Sequence, residues 1–124
     1  MLVVTRFEVP EVEGEPFLAQ ARRALAAFAA RTGYVRGRIG RAADDPTQWV
    51  LVTEWTGVGA YRRSLSAYDV KLEAAPLLAR GRNEASAFEV LVSDVDLHES
   101  GRATDADTVA LGEAAGPGPV GFRP

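Results

Sequence analysis

Asp45-Pro46-Thr47-Gln48-Trp49-Val50-Leu51-Val52-Thr53-Glu54-Trp55 is the stretch on which the reading of this chain turns. Asp and Pro open it as a turn, since Pro presets its own φ and Asp bonds its own backbone. Gln48 to Trp55 then reads as a strand, rich in β-branched and aromatic residues. Side chains alternate along a strand, so Trp49, Thr53 and Trp55 share one face while Val50 and Val52 point to the other. Tyr61 follows six residues after Trp55, in the first turns of a helix. A large aromatic at a strand end with a phenol just beyond it lines a pocket for a flat ligand in a small α+β domain. The pattern identifies a pocket, not a reaction.

Working outward, Leu2 to Val9 reads as a first strand that Pro10 ends. Gly14-Glu15-Pro16 starts a helix, because Pro near the first helical position loses an N–H that would be unpaired anyway. Phe17, Ala21, Ala24, Leu25 and Phe28 form its apolar stripe, and Thr32-Gly33 stops it, Gly being free to take the left-handed conformation. Tyr34 to Arg41 is the second strand and Ala42 to Thr47 the turn before the third. A second helix begins near Gly57. Its expected stripe is Tyr61, Leu65, Tyr68 and Leu72, and Pro76 should break or kink it. Glu84 to Val95 alternates again, with Phe88, Val90 and Val92 on one face, and is expected as the fourth strand.

The order β-α-β-β-α-β predicts a ferredoxin-like α+β fold, a four-stranded antiparallel sheet with both helices on one face. Val50 and Val52 leave the opposite face apolar, so a homodimer through that open sheet face is expected. The expected organisation is one folded domain over residues 1–95 and a Gly/Pro-rich acidic tail over 96–124.

At 124 residues, 47% of them hydrophobic, the chain suits one globular core. It has no cysteine, which excludes disulfides, thiolate metal sites and cysteine nucleophiles. The net charge of −3 sits in the segment from Asp96 onward, and the body is neutral. Nucleic acid, which selects a basic face, is not the expected partner. No apolar run is long enough for a membrane span, and no secretory leader is visible at the first residues, so the expected address is cytoplasmic.

Two motifs are set aside. Gly116-Pro117-Gly118-Pro119-Val120-Gly121 spells the dinucleotide fingerprint, but two prolines interrupt it and no helix can follow to receive a pyrophosphate. His98 is the single histidine; Asp94, Asp96 and Glu99 lie near it in sequence without ligand spacing, so no metal site is expected.

The candidate site therefore rests on Trp55 and Tyr61. The plainer reading of the pair is two core aromatics. The functional reading makes them walls of a mostly aromatic small-molecule site. Thr53 shares Trp55's face. On the neighbouring strand Arg36 and Arg38 should share the face of Tyr34, where an arginine would stabilise an enolate or phenolate. Tyr68 belongs to the same expected helical stripe as Tyr61.

Several local sequences carry a resemblance. Gly33-Tyr34 leads into the second strand, Asp45-Pro46 precedes the third and Val52-Thr53-Glu54-Trp55 closes it. Tyr61 lies in the next helix, followed by Ala75-Pro76-Leu77-Leu78 and Phe88-Glu89-Val90-Leu91. Over residues 1 to about 95 the chain resembles the antibiotic biosynthesis monooxygenase family of dimeric α+β barrel proteins. The resemblance implies a cofactor-independent monooxygenase in which the deprotonated aromatic or polyketide-like substrate reduces dioxygen directly, with no metal or flavin. It implies that Trp55 lines the pocket and Tyr61 orients the substrate, which makes them the candidate catalytic pair; the reading of strand faces and helical stripe adds Tyr34, Arg36, Arg38, Thr53 and Tyr68 as candidate substrate-binding residues. Leu51 stands where those oxygenases carry an Asn, and Gly57 to Arg80 contains none of the His that ligates haem in the haem-degrading branch. The alternative is a non-catalytic dimer that binds a hydrophobic metabolite in the same pocket, with haem binding a third and weaker reading.

Overall fold

The computed structural model describes residues 1–97 of the chain. Met1–Glu89 form one unit and Val90 begins a second. In the first unit four strands, β1 (Leu2–Glu8), β2 (Tyr34–Ala42), β3 (Asp45–Trp55) and β4 (Ala87–Phe88), make an antiparallel sheet in the order β2-β3-β1-β4. A short 3-10 turn, Glu11–Glu13, leads into α1 (Gly14–Ala29), and α2 (Val58–Ser64), α3 (Tyr68–Glu73) and α4 (Ala75–Leu78) follow β3. This is the expected ferredoxin-like α+β fold.

The alternation of β1 and β3 builds the core. Val3, Thr5 and Phe7 stand opposite Thr53, Leu51 and Trp49, and all six are buried. Phe17, Ala21, Ala24 and Phe28 of α1 close over them, joined by Val70, Ala74 and Leu77. Phe17 meets Phe7 with ring centroids 5.0 Å apart and Trp49 at 5.2 Å. Each large apolar side chain removed from water stabilises the fold by about 1.5–3 kcal/mol, so this aromatic file holds α1 to the sheet. The three buried alanines of α1, Ala21, Ala24 and Ala27, interlock with their Phe neighbours because small residues let the helix approach closely.

Among the described residues of the first unit, no helix lies on the other sheet face. Leu2, Val4, Val50 and Val52 are half-buried at its centre. Around them Arg6 donates to Glu84 through Nε and Nη2 at 2.8 and 3.0 Å, Arg36 meets Glu54 at 3.3 Å, and Arg82 donates to the side-chain Oε1 of Gln48. The hydrogen bonds from Arg6, with the nearby Arg6 and Arg82 charges, lower the Glu84 carboxyl's pKa.

Four expectations need correction. The hairpin between β2 and β3 is tighter than the expected Ala42–Thr47 turn: only Ala43 and Asp44 lie between the strands. Asp45 enables this, since its Oδ1 accepts from the Thr47 amide at 3.0 Å and from the Thr47 hydroxyl at 2.6 Å, which also lowers its pKa. The second helical region is three short helices, not one run broken by Pro76. Pro76 sits in the first turn of α4, where a missing N–H costs nothing. The expected stripe does not face the core: Tyr68 is 80% and Leu72 55% exposed, while Ala60, Ser64, Val70, Ala74 and Leu77 are buried.

The fourth strand keeps only Ala87–Phe88. Phe88 already pairs with Leu2, so β1 has almost no length left to receive Glu89 onward. Ser93 then opens a helical turn instead, with its hydroxyl and amide both bonded to Asp96 and the Asp96 amide bonded back to the Ser93 hydroxyl. That reciprocal pair is a capping box, and it ends strand character before Val95. The Gly116–Gly121 spelling, His98 and nearly all of the expected tail lie outside the described residues.

Gly33 adopts φ +89° at the end of α1, and a Cβ there would collide with Ala60. Gly33→Ala is therefore expected to destabilise by at least about 2 kcal/mol, measured by chemical denaturation. A loss below 0.5 kcal/mol (about the scatter of surface substitutions) would mean that the turn relaxes freely.

Candidate functional site

Trp55 closes β3 and is only 2% exposed. Its indole Nε1–H donates to Thr53 Oγ1 at 2.9 Å, two residues back on the same strand face. Three rings enclose it: Phe28 of α1 at 5.7 Å, Tyr34 of β2 at 5.5 Å and Tyr61 of α2 at 5.5 Å between centroids. The Phe28 and Tyr34 contacts are edge-on, the geometry favoured by aromatic quadrupoles. Four expected residues, Trp55, Tyr61, Thr53 and Tyr34, thus do meet.

Their roles divide sharply. Trp55 and Thr53 are packed into the core and touch no open groove among the described residues. Tyr61, half-buried, is the member that reaches out. It lines a groove of 350 Å³ together with Val58, Arg62, Leu65, Phe88 and Glu89. Burial pushes its phenol pKa upward, because the phenolate would lose solvation. The group is a neutral hydrogen-bond donor throughout the neutral range. Arg62 and Glu89 supply one cation and one carboxylate at a largely apolar wall, enough to orient a small flat molecule.

The two strand arginines are elsewhere. Tyr34 stands opposite Trp55, but Arg36 stands opposite Glu54, so the register shifts by one residue at Val35. A bulge of this kind reverses the facing of every residue after it. Tyr34 faces the helices, where it borders a second groove with Leu18, Leu25 and Ile39. Arg36 and Arg38 face the open side with Leu2, Val52 and Glu54. The expected shared face of Tyr34, Arg36 and Arg38 is corrected accordingly. Tyr68 lines neither groove and projects into solvent.

Sequence reasoning did not place Val58, Arg62, Leu65, Phe88 or Glu89 in the candidate site. A signal existed: Val58, Tyr61, Arg62 and Leu65 follow the i, i+3, i+4, i+7 spacing of one helix face. Leu51 is buried at 3% exposure among apolar neighbours, so the position where the resemblance implies an Asn serves the core. Among the described residues no three His, Cys, Asp or Glu side chains gather in a way that could hold a metal ion.

The sheet order and the helix-flanked Trp55–Tyr61 cluster define a ferredoxin-like domain with a groove at one end of its sheet. The family model for antibiotic biosynthesis monooxygenases matches residues 1–71, and the chain belongs to that family. A mutant of SnoaB, a cofactor-independent oxygenase from Streptomyces nogalater, is 30% identical over 74% of this chain and 96% of that one, with a TM-score of 0.54. A structure described as an antibiotic biosynthesis monooxygenase has a TM-score of 0.61 at 15% identity, covering 75% of this chain and all 100% of that one. A conserved protein from Methanosarcina mazei Go1 has a TM-score of 0.57 at 15% identity, covering 69% and 84%. The last two show the shared fold alone. No curated protein matches the chain.

Thr53→Val keeps the shape of Thr53 and removes the acceptor for Trp55, leaving a buried N–H unpaired. The expected loss is about 1–3 kcal/mol of folding stability. Tyr61→Phe, whose hydroxyl has no hydrogen bond among the described residues, should cost less than 1 kcal/mol (roughly the value of a single neutral hydrogen bond). Equilibrium unfolding of both variants checks the contrast; equal losses would contradict it.

Proposed function

We propose that this protein is a cofactor-independent monooxygenase of a small electron-rich aromatic or polyketide-like molecule bound in the groove beside Tyr61. The observation that carries this reading is Tyr61 itself: a half-buried phenol, backed by the Trp55 ring and open to an apolar groove. The likeness to SnoaB, named as a cofactor-independent oxygenase, supports the reaction class.

The chemistry needs only substrate and dioxygen. A hydroxylated aromatic ring acidifies an adjacent C–H, and its loss gives an enolate. Glu89 at the groove wall is the proposed acceptor of that proton, and Tyr61 donates to the oxygen on which the enolate charge develops. Arg62 is the proposed electrostatic partner, in place of Arg36 and Arg38. The enolate carbon passes one electron to dioxygen, the two radicals join as a peroxide, and loss of water leaves a carbonyl. One oxygen atom stays in the product and the other leaves as water, so a methylene plus dioxygen balances to a ketone plus water. Trp55 and Thr53 act as positioning residues that fix the Tyr61 ring.

The proposal includes a homodimer through the open sheet face, whose centre of Leu2, Val4, Val50 and Val52 is only half-buried among the described residues. It also places the protein in the cytoplasm; no helix of the described residues is long and apolar enough to cross a membrane. A second reading, a binding dimer without turnover, is favoured by one observation. Leu51 fills the strand position with a buried apolar side chain and supplies no polar group.

Oxygen uptake with a panel of hydroxylated anthrones and naphthols separates the two. Turnover is expected, with a fall of about 100-fold in kcat for Tyr61→Phe, the usual scale for removing one acid or electrostatic donor. A raised phenol pKa also means that any alkaline loss of activity from Tyr61 ionisation comes at higher pH than for an ordinary exposed tyrosine. Ligand-dependent thermal stabilisation with no oxygen consumed would establish the binding reading. Turnover unchanged by Tyr61→Phe would remove Tyr61 from the chemistry.

A further inference from the structure

The chain has three tyrosines, two tryptophans and no cysteine. An oxidising equivalent that enters such a protein finds no thiol on which to settle and comes to rest on a phenol or an indole. Two of the tyrosines touch one tryptophan. Tyr61 and Trp55 have ring centroids 5.5 Å apart at 57°, and Trp55 and Tyr34 lie 5.5 Å apart at 83°, both inside the range of aromatic pairs in contact. Tyr61 lines the groove beside α2 with Val58 and Phe88. Tyr34 lines a groove of 520 Å³ between α1 and β2 with Leu25 and Ile39. Trp55 is buried and lines neither, so the three rings form an unbroken path from one groove to the other through the core.

The surroundings of each ring suit conduction. Trp55 Nε1–H donates to Thr53 Oγ1 at 2.9 Å, and a neutral hydroxyl is too weak a base to take the proton. An indole that loses an electron there stays a radical cation and draws an electron from a touching phenol. A phenol must shed its proton when oxidised, and both phenols border grooves open to water. A Cβ on Gly37 would lie 2.6 Å from the Tyr34 hydroxyl, so glycine leaves the room in which that hydroxyl sits. Phe28 packs on Trp55 and Tyr61 at 5.7 and 6.1 Å and, being much harder to oxidise, walls the path without joining it. The other candidates stand apart. Trp49 is six residues back along β3, about 20 Å away at the rise of a strand, and packs on Phe17. Tyr68 projects from α3 into solvent.

We propose that Tyr61, Trp55 and Tyr34 form a relay that carries an oxidising equivalent from the Tyr61 groove to the Tyr34 groove. Its use rests on the monooxygenase reading above, and the path itself does not. When the radical pair of that reaction parts before joining, superoxide escapes and the substrate radical adds a second dioxygen to become a peroxyl radical. This radical takes a hydrogen atom from the Tyr61 hydroxyl, which leaves a hydroperoxide and a Tyr61 phenoxyl. Trp55 passes one electron to the phenoxyl, whose oxygen takes a proton from groove water. Tyr34 then passes one electron to the Trp55 radical cation, and its own proton leaves to water. One electron has moved from Tyr34 to Tyr61, with one proton released and one taken up. A small thiol or enediol reductant returns a hydrogen atom to Tyr34 and is itself oxidised. The phenol beside the substrate is restored for the next turnover.

An oxidant supplied from outside probes the path without turnover. A ruthenium photo-oxidant is attached through a maleimide to Leu65→Cys at the groove wall, the one thiol of that variant. After flashes, a tyrosyl-radical trapping reagent is mapped by peptide mass spectrometry. Trapping is expected at both Tyr61 and Tyr34, and adding Trp55→Phe should abolish it at Tyr34 and leave it at Tyr61. Trapping at Tyr34 that survives Trp55→Phe undiminished would overturn the relay. A second measurement leaves Trp55 and its packing in place. An ultraviolet laser flash ionises the tryptophans of the full chain, and a first-order phase independent of protein concentration should convert indole radical to phenoxyl. Tyr34→Phe/Tyr61→Phe should abolish that phase and Tyr68→Phe should leave it unchanged. The reverse pattern, or a rate that scales with protein concentration, would also overturn the relay. Conduction in a protein that consumes no oxygen with any aromatic substrate would remove the monooxygenase reading and keep the path.

Discussion

One hydrogen bond, from the Trp55 indole to the Thr53 hydroxyl, fixes the geometry around which this domain is assembled. It turns the polar edge of the largest side chain in the core toward its own strand, so the remaining ring surface is apolar and can be shared. Phe28, Tyr34 and Tyr61 take that surface from three different elements. Backbone bonds reinforce the same point: Thr56 N–H reaches Gly33 O at 2.8 Å and Trp55 N–H reaches Met1 O at 2.9 Å. Helix α1, the start of β2, the end of β3 and the start of α2 are joined at a single indole. A buried donor paired locally asks nothing of its neighbours except shape.

The contrast with Trp49 is instructive. It is the other large aromatic of β3, six residues earlier and on the same face, packed on Phe17 with the Arg41 guanidinium 5.3 Å from its ring. Its Nε1 has no hydrogen-bond partner and is shielded from solvent. The two ends of the strand therefore differ in how completely their polar atoms are satisfied. The end with the satisfied indole is the end beside the Tyr61 groove.

How much of this could be read from the residues depended on the range of the interaction. The alternation of Gln48 to Trp55 and the stripe from Phe17 to Phe28 are set by local periodicity, and both elements stand where the pattern placed them. Gly33 was legible for a related reason, since few residues adopt its backbone conformation. The bulge at Val35 was not, because a one-residue slip leaves no mark in composition and arises from how β2 must meet β3. It moved Arg36 and Arg38 to the opposite face from Tyr34. The second helical region failed differently: of its expected stripe Tyr61 and Leu65 do share one groove, but breaks near Leu65 and Ala74 rotated Tyr68 and Leu72 out of register. Glu84 to Val95 had strand chemistry, and a strand exists only where a neighbour offers an edge. Of the candidate site, the aromatic cluster was visible in sequence; which of its members faces open space was decided by packing.

The ring contact between Tyr61 and Trp55 has an optical side. Trp55 is dry and held at fixed orientation, and the Tyr61 ring beside it absorbs at shorter wavelength, close enough to pass its excitation to the indole. Tyr61 is also the wall of the groove. A molecule entering there meets a phenol whose excited state is already coupled to a sheltered tryptophan, so occupancy of the groove is written into the protein's own emission, with no label attached.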